Sequence, residues 1–218
     1  MFRNLTPAVK NLLIINIIVY LGTSLVGETA YEYLALFPIG SRFFHWWQFL
    51  THMFMHGSIA HIFFNMWSLI VFGPVLERLW GSKKFLLFYL VCGLGAAACH
   101  ELVQYLQIQN LLAEGTAAAQ VQASRMLATP TVGASGAIYG LLLGFGMLYP
   151  NYTLTLVFPP VSLKAKWFVL IFAAIELVTG VLGTQDGVAH FAHLGGMLFG
   201  LILILLWRKK GEMYTEWQ

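Results

Sequence analysis

The chain has 218 residues, 59% of them hydrophobic and only 10% charged, with mean hydropathy +0.74 and a formal net charge of +3. Soluble domains carry about 25% charged residues, so a fold solvated by water alone is excluded. Two cysteines in so apolar a chain also leave no basis for a disulfide-stapled secreted scaffold.

Six runs approach the roughly 20 apolar residues that a bilayer crossing needs: 10–27, 59–79, 85–106, 133–149, 167–183 and 190–207. They predict an all-α polytopic membrane protein, a six-transmembrane-helix bundle forming one membrane domain over residues 1–218. The first run, "NLLIINIIVYLGTSLVG", is long for the apolar core of a signal peptide and lacks a small-residue cleavage site, so it reads as a membrane anchor. Residues 28–57 are crowded with aromatics, as suits backbone at a membrane interface. Cys92 and Cys99 fall in the third run, too far apart to bridge along a regular helix, and read as small packing residues. Residues 107–132 are rich in Ala and Gln and predict partial helix without chemistry. The connector "NYTLTLVFPPVSLKAK" alternates like a strand and breaks at Pro159-Pro160.

An even number of spans puts both termini on one side. With the N-terminus inside, every Lys and Arg lies on inner segments except Arg42 and Arg125, which satisfies the positive-inside rule. The basic residues are then topology signals, and a nucleic-acid partner has no support. Gly136, Gly140 and Gly144 recur every fourth residue in span four, as do Gly196 and Gly200 in span six. Such spacing lets helix backbones approach closely, so spans four and six are expected to touch.

This orientation brings polar groups to one depth. Ser135 stands at the outer end of span four, His190 and His193 at that of span six, and His52, His56, His61 and Asn65 lead into span two. Ionisable groups in lipid are costly, so their convergence points to a site. A serine nucleophile needs a base and oxyanion donors. His193 supplies the base; His61 and Asn65, four apart on one helix face, supply side-chain donors. The Ser135 N–H, in the first turn of its helix, adds another. Asp186, the lone aspartate, reaches His193 only through a special loop conformation, and nothing in the sequence sets Glu101 or Glu176 beside it. A Ser–His dyad without a carboxylate is therefore expected, with Tyr139 stacking on the imidazole and Glu176 as a structural hydrogen-bonding partner. A multi-histidine metal site is the rival chemistry. It has no HExxH and leaves Ser135 unexplained, so no metal or cofactor is expected. A transporter with a midplane site would put its ionisable groups at the centre, where only Glu176 stands.

"HGSIAHIFFNMW", "GASGAIYG" and "AHFAHLGG", in that order on alternate spans, resemble the motifs of the rhomboid intramembrane serine proteases, as does "ERLWGSKK" closing span two. The resemblance covers about residues 40–210. It implies Ser135 and His193 as the catalytic pair, since only His193 is followed by glycines at the family spacing, with His61 and Asn65 at the oxyanion. It also implies Tyr139 packed on the histidine, His56 stabilising the first outer loop and His190 beside the active-site cavity. Gly133 and Gly136 are expected to leave room for substrate and backbone. Many members carry Trp-Arg where this chain has Trp47-Gln48, which leaves that loop's anchor to be found. The compact bacterial form that the chain resembles has six spans, no soluble extension and no seventh span. Its implied setting is the bacterial cell membrane, with cytoplasmic termini and a site opening outward. Its implied partners are membrane lipid and single-span transmembrane substrates, cut near the outer leaflet through an acyl-enzyme. A rhomboid-like protein that binds membrane clients without cleaving them is the alternative.

Overall fold

The structure, a computed structural model, describes residues 5–156, 160–182 and 189–213. The main helices are α1 (Pro7–Val26), α4 (Ile59–Trp80), α5 (Ser82–Glu114), α7 (Ser135–Leu148), α8 (Ala165–Leu182) and α9 (His190–Lys209). Short helices α2 (Glu28–Leu34), α3 (Gln48–Thr51) and α6 (Ala117–Leu127) lie between them. A hairpin of β1 (Thr153–Thr155) and β2 (Ser162–Lys164) fills the connector that alternated in the sequence. Pro159 and Asp186 lie outside the described residues.

Among the described residues, five helices are long and apolar enough to cross a membrane. The expected fourth span, 133–149, is the shorter helix α7 of 14 residues. At 1.5 Å per residue it extends about 21 Å, less than the roughly 30 Å of a hydrocarbon core. It packs against α4, α5, α8 and α9 and is the centre of the bundle. Its small residues make that possible. A Cβ added at Gly196 would collide with the Gly136 carbonyl oxygen, and one at Gly140 would lie 3.1 Å from the Gly196 oxygen. Spans four and six therefore meet backbone to backbone. Cys92 and Cys99 are free thiols packed against glycines of α7 and α9, Cys92 at Gly140 and Cys99 at Gly195.

The ends of the bundle differ in chemistry. At one end Lys84 lies over the Trp207 ring at 4.6 Å and donates to the Glu212 carbonyl, while Arg208 donates to the Met147 carbonyl at 3.3 Å. Glu77 holds the start of α1 there, accepting from the Ala8 and Val9 N–H groups at 2.8 and 2.9 Å and from the Thr6 and Ser82 hydroxyls. Two of the helix's orphan donors are thus satisfied by a carboxylate at the positive end of its dipole. At the other end the chain between α1 and α4 folds into a compact loop. Leu36 and Thr131 exchange backbone hydrogen bonds of 3.0 and 2.7 Å, tying this loop to the segment that enters α7.

Gln48 is the anchor of that loop. Fully buried, it accepts the Phe37 and His45 N–H groups at Oε1 (3.3 and 3.1 Å) and donates from Nε2 to the Glu32 and Phe43 carbonyls (both 2.9 Å). Two donors and two acceptors of the backbone are satisfied by one amide, whose NH₂ carries two donors and whose oxygen carries two lone pairs.

Candidate active site

Ser135 is the first residue of α7, so its N–H has no partner within the helix and faces outward from the positive end of the dipole. His193 sits in the first turn of α9. Because the two helices touch at Gly136 and Gly196, their first turns are side by side, and His193 Nε2 lies 2.8 Å from Ser135 Oγ. Tyr139, one turn into α7, stacks on the His193 ring at 4.1 Å between centroids and 6° between planes. Serine is half-buried and histidine buried, an arrangement that shields the pair while leaving the hydroxyl accessible.

The sequence expectation that no carboxylate stands beside His193 is overturned. Glu176 of α8 is 5% exposed and reaches across from the neighbouring helix. Its Oε1 lies 3.0 Å from His193 Nδ1, off the line of a hydrogen bond, and accepts the Tyr139 hydroxyl. Its Oε2 lies 2.7 Å from His190 Nδ1, which is also 3.0 Å from Thr179 Oγ1. His190 thus belongs to the carboxylate's surroundings. Glu101, by contrast, turns away and accepts the Ile39 N–H at 2.8 Å.

Helix α4 brings the other two expected residues. Ser58 caps it, accepting the His61 N–H at 3.1 Å, which sets His61 in the first turn. The Gly57 N–H points at His61 Nδ1 across 3.4 Å, leaving Nε2 to carry the proton. Gly133 has φ of +130°, a conformation that side chains disfavour, and the absence of a Cβ is itself needed. A methyl there would lie 2.7 Å from His61 Nε2 and 3.7 Å from Ser135 Oγ, filling the space between them. Asn65, one turn further along α4, is buried with no partner for its Nδ2. A buried amide donor left unpaired costs about 1–3 kcal/mol, so it is a donor in want of an acceptor.

Gly136 makes the room for backbone that the sequence implied, and not for substrate. The space at its missing side chain is taken by Ala96 of α5 and by the α9 backbone, so it serves helix packing and leaves no room for substrate. His56 is buried in the loop with its ring edge-on to His61 at 5.0 Å, and neither of its nitrogens is paired. Burial and the nearby His61 hold its pKa down to about 4. His52 is likewise buried, with Nδ1 2.8 Å from the Gln48 carbonyl and its own carbonyl accepting the Gly133 N–H at 2.9 Å. Burial depresses its pKa to about 4 as well. Its carbonyl ties residues 52–54 to the segment that leads into Ser135. Among the described residues no three His, Cys, Asp or Glu side chains stand as a metal-binding group.

A bundle of apolar helices whose chemistry gathers at one end, around a serine and a histidine, defines an integral multi-pass membrane protein with a hydrolase-like centre. The model of the Rhomboid domain matches residues 44–210, and the chain belongs to the rhomboid family. Rhomboid protease AarA of Providencia stuartii is 30% identical over 167 residues, 72% of this chain and 54% of that protein. The Bacillus subtilis rhomboid YdcA is 26% identical over 97% of this chain and 94% of its own length. Rhomboid-type serine protease 2 of Emericella nidulans is 30% identical over 72% of this chain, which spans only 26% of that protein. The chain spans about half the length of the Providencia protease and about a quarter of the Emericella one.

Proposed function

We propose that this protein is an intramembrane serine endopeptidase that cleaves single-span membrane proteins near the outer leaflet, with Ser135 as nucleophile and His193 as general base. The observation that carries the reading is the 2.8 Å approach of His193 Nε2 to Ser135 Oγ at the first turns of two touching helices. In this mechanism Nε2 takes the hydroxyl proton as Oγ bonds to the substrate's carbonyl carbon. The developing oxyanion is held by the Ser135 N–H, His61 Nε2 and Asn65 Nδ2. His193 then gives its proton to the amine nitrogen as the C–N bond breaks, and water releases the acyl group by the same steps in reverse order. Substrate must unwind to present its backbone, because a helix in lipid keeps its amides bonded.

The same proposal makes one domain of residues 1–218 with six spans, α7 serving as the fourth alongside the five long helices. Its short length is tolerable because other helices, and not lipid, surround it. It also orients the chain in a bacterial cell membrane with both termini cytoplasmic. That orientation is supported by the basic end of the bundle, with Arg208 about 22 Å along α9 from His193. The test is cleavage of a single-span substrate in vesicles, with fluorophosphonate labelling of the enzyme. Ser135→Ala and His193→Ala are expected to lose cleavage while remaining folded. A Ser135→Ala protein that still cleaves would overturn the mechanism.

A further inference from the structure

We infer that Glu176 is a positioning residue for the reaction, a carboxylate on α8 that orients His193 through Nδ1 and balances the charge the ring acquires. This rests on the reading of Ser135 and His193 as nucleophile and base. A histidine that accepts the serine proton at Nε2 must present a bare lone pair there, so the neutral ring must carry its proton on Nδ1. Nδ1 is buried and has no hydrogen-bonding partner, and the Glu176 oxygen at 3.0 Å is the acceptor at hand. Close approach with imperfect alignment is common before substrate binds, and such contacts tighten in the reacting complex.

The surroundings keep this contact from being a chance encounter. Tyr139 stacks flat on the His193 ring and donates its hydroxyl to the same Oε1. The ring's tilt and the carboxylate's position are therefore set by one side chain. The second oxygen is held by His190, itself beside Thr179 one turn along α8 from Glu176. Three helices, α7, α8 and α9, meet at this carboxylate. When Oγ bonds to the carbonyl carbon and its proton moves to Nε2, His193 becomes an imidazolium away from bulk water. Glu176 stays ionised throughout, and Nδ1 keeps its proton. An opposite charge 3.0 Å away in a site of low dielectric stabilises the ion pair far more than it would in water. The bland reading is that Glu176 only ties α8 to its neighbours.

Glu176→Gln separates the two. The amide keeps the shape and an acceptor for Tyr139 or His190, but it is neutral and can turn its NH₂ towards Nδ1, favouring the wrong tautomer. Loss of the orienting carboxylate is expected to lower kcat by about 10² to 10⁴-fold with little change in KM. Fluorophosphonate labelling of Ser135 should slow in parallel. Glu176→Asp, which restores the charge, is expected to recover a large part of the loss. A kcat within about threefold of wild type in Glu176→Gln, or an Asp variant no better than Gln, would overturn the inference. The tautomer in unsubstituted protein is a measurement independent of whether the variants fold. In ¹⁵N-histidine-labelled protein, the His193 signal, assigned by its loss in His193→Ala, should show a protonated Nδ1 at neutral pH. A protonated Nε2 alone would also overturn it. Ser135→Ala is run alongside: cleavage surviving there sinks the underlying mechanism, whereas cleavage lost there and retained in Glu176→Gln sinks only the role of Glu176.

Discussion

Gln48→Ala removes four hydrogen bonds at once from a fully buried position: two accepted at Oε1 and two donated from Nε2. At about 0.5–1.5 kcal/mol net for each bond, the loss sums to about 2–6 kcal/mol, with the upper part reached if the freed backbone groups stay dry. The cost falls on the loop between α1 and α4, whose bridge from Leu36 to Thr131 supports the approach to Ser135. Gln48→Arg is the sharper variant, since arginine is the residue that the family resemblance implies at this position. A guanidinium could donate to the Glu32 and Phe43 carbonyls, but it has no acceptor for the Phe37 and His45 N–H groups. Both variants should therefore melt earlier in detergent micelles, and limited proteolysis should cut residues 28–57 faster. An arginine variant as stable as the parent would refute the claim that this loop is built around an amide.

Gly196→Ala is expected to destabilise by about 3 kcal/mol or more and to abolish cleavage, because its methyl meets the Gly136 backbone and not a side chain that could rotate away. Gly144→Ala is the control: its nearest neighbours, the tips of Phe88, Trp80 and Ile204, stand 3.4–3.6 Å from the added methyl, and the cost should stay below about 1 kcal/mol. His52 and His56 are neutral in the folded protein down to about pH 4 and protonate near 6.5 when unfolded. The unfolded chain thus binds more protons between those values, and stability is complete above pH 6.5 and falls as pH drops towards 4. The loss by pH 5 is on the order of 2 kcal/mol for each ring. Melting temperatures from pH 7.5 to 4.5 should show this slope, and His56→Phe should flatten it.

The apolar runs located the helices because a membrane leaves little else for such a run to be. Their ends were less legible. Helix α5 continues to Glu114, past the expected 106, since hydropathy marks where lipid stops while helix propensity persists through Gln104, Gln107 and Gln109. Helix α7 begins two residues later than the run, because Gly133 takes a positive φ that a helix does not admit. The four-residue glycine spacing correctly paired spans four and six, but it could not say which glycine makes room for which neighbour. Gly136 faces Ala96 and α9, a matter of helix rotation that spacing alone does not carry. Gln48 was visible only as a departure from the pattern of related proteins, because an irregular loop has no periodicity from which its hydrogen bonds can be read.

Glu176 shows a different limit. It looked mid-span because the apolar run 167–183 centres on residue 175; within α8 it is eleven residues past Ala165, the inner end. Counted from Leu182, at the other end, it is only six residues in, about 9 Å along the helix, while Tyr139 is about 6 Å into α7 and His193 about 4.5 Å into α9. These depths agree to within the length of a glutamate side chain, so the meeting of the three was open to a count that measured every helix from the same membrane face. Depth could bring Glu176 to the right level, but rotation decides whether it points at histidine or at lipid. On α8 the flanking Ile175 and Leu177 are both exposed, and Glu176 is the residue between them that turns inward. An ionisable side chain in a lipid-facing stretch has one affordable direction, towards partners inside the bundle. That rule, joined to the depth count, selects Tyr139, His190 and His193 as the partners before any distance is measured.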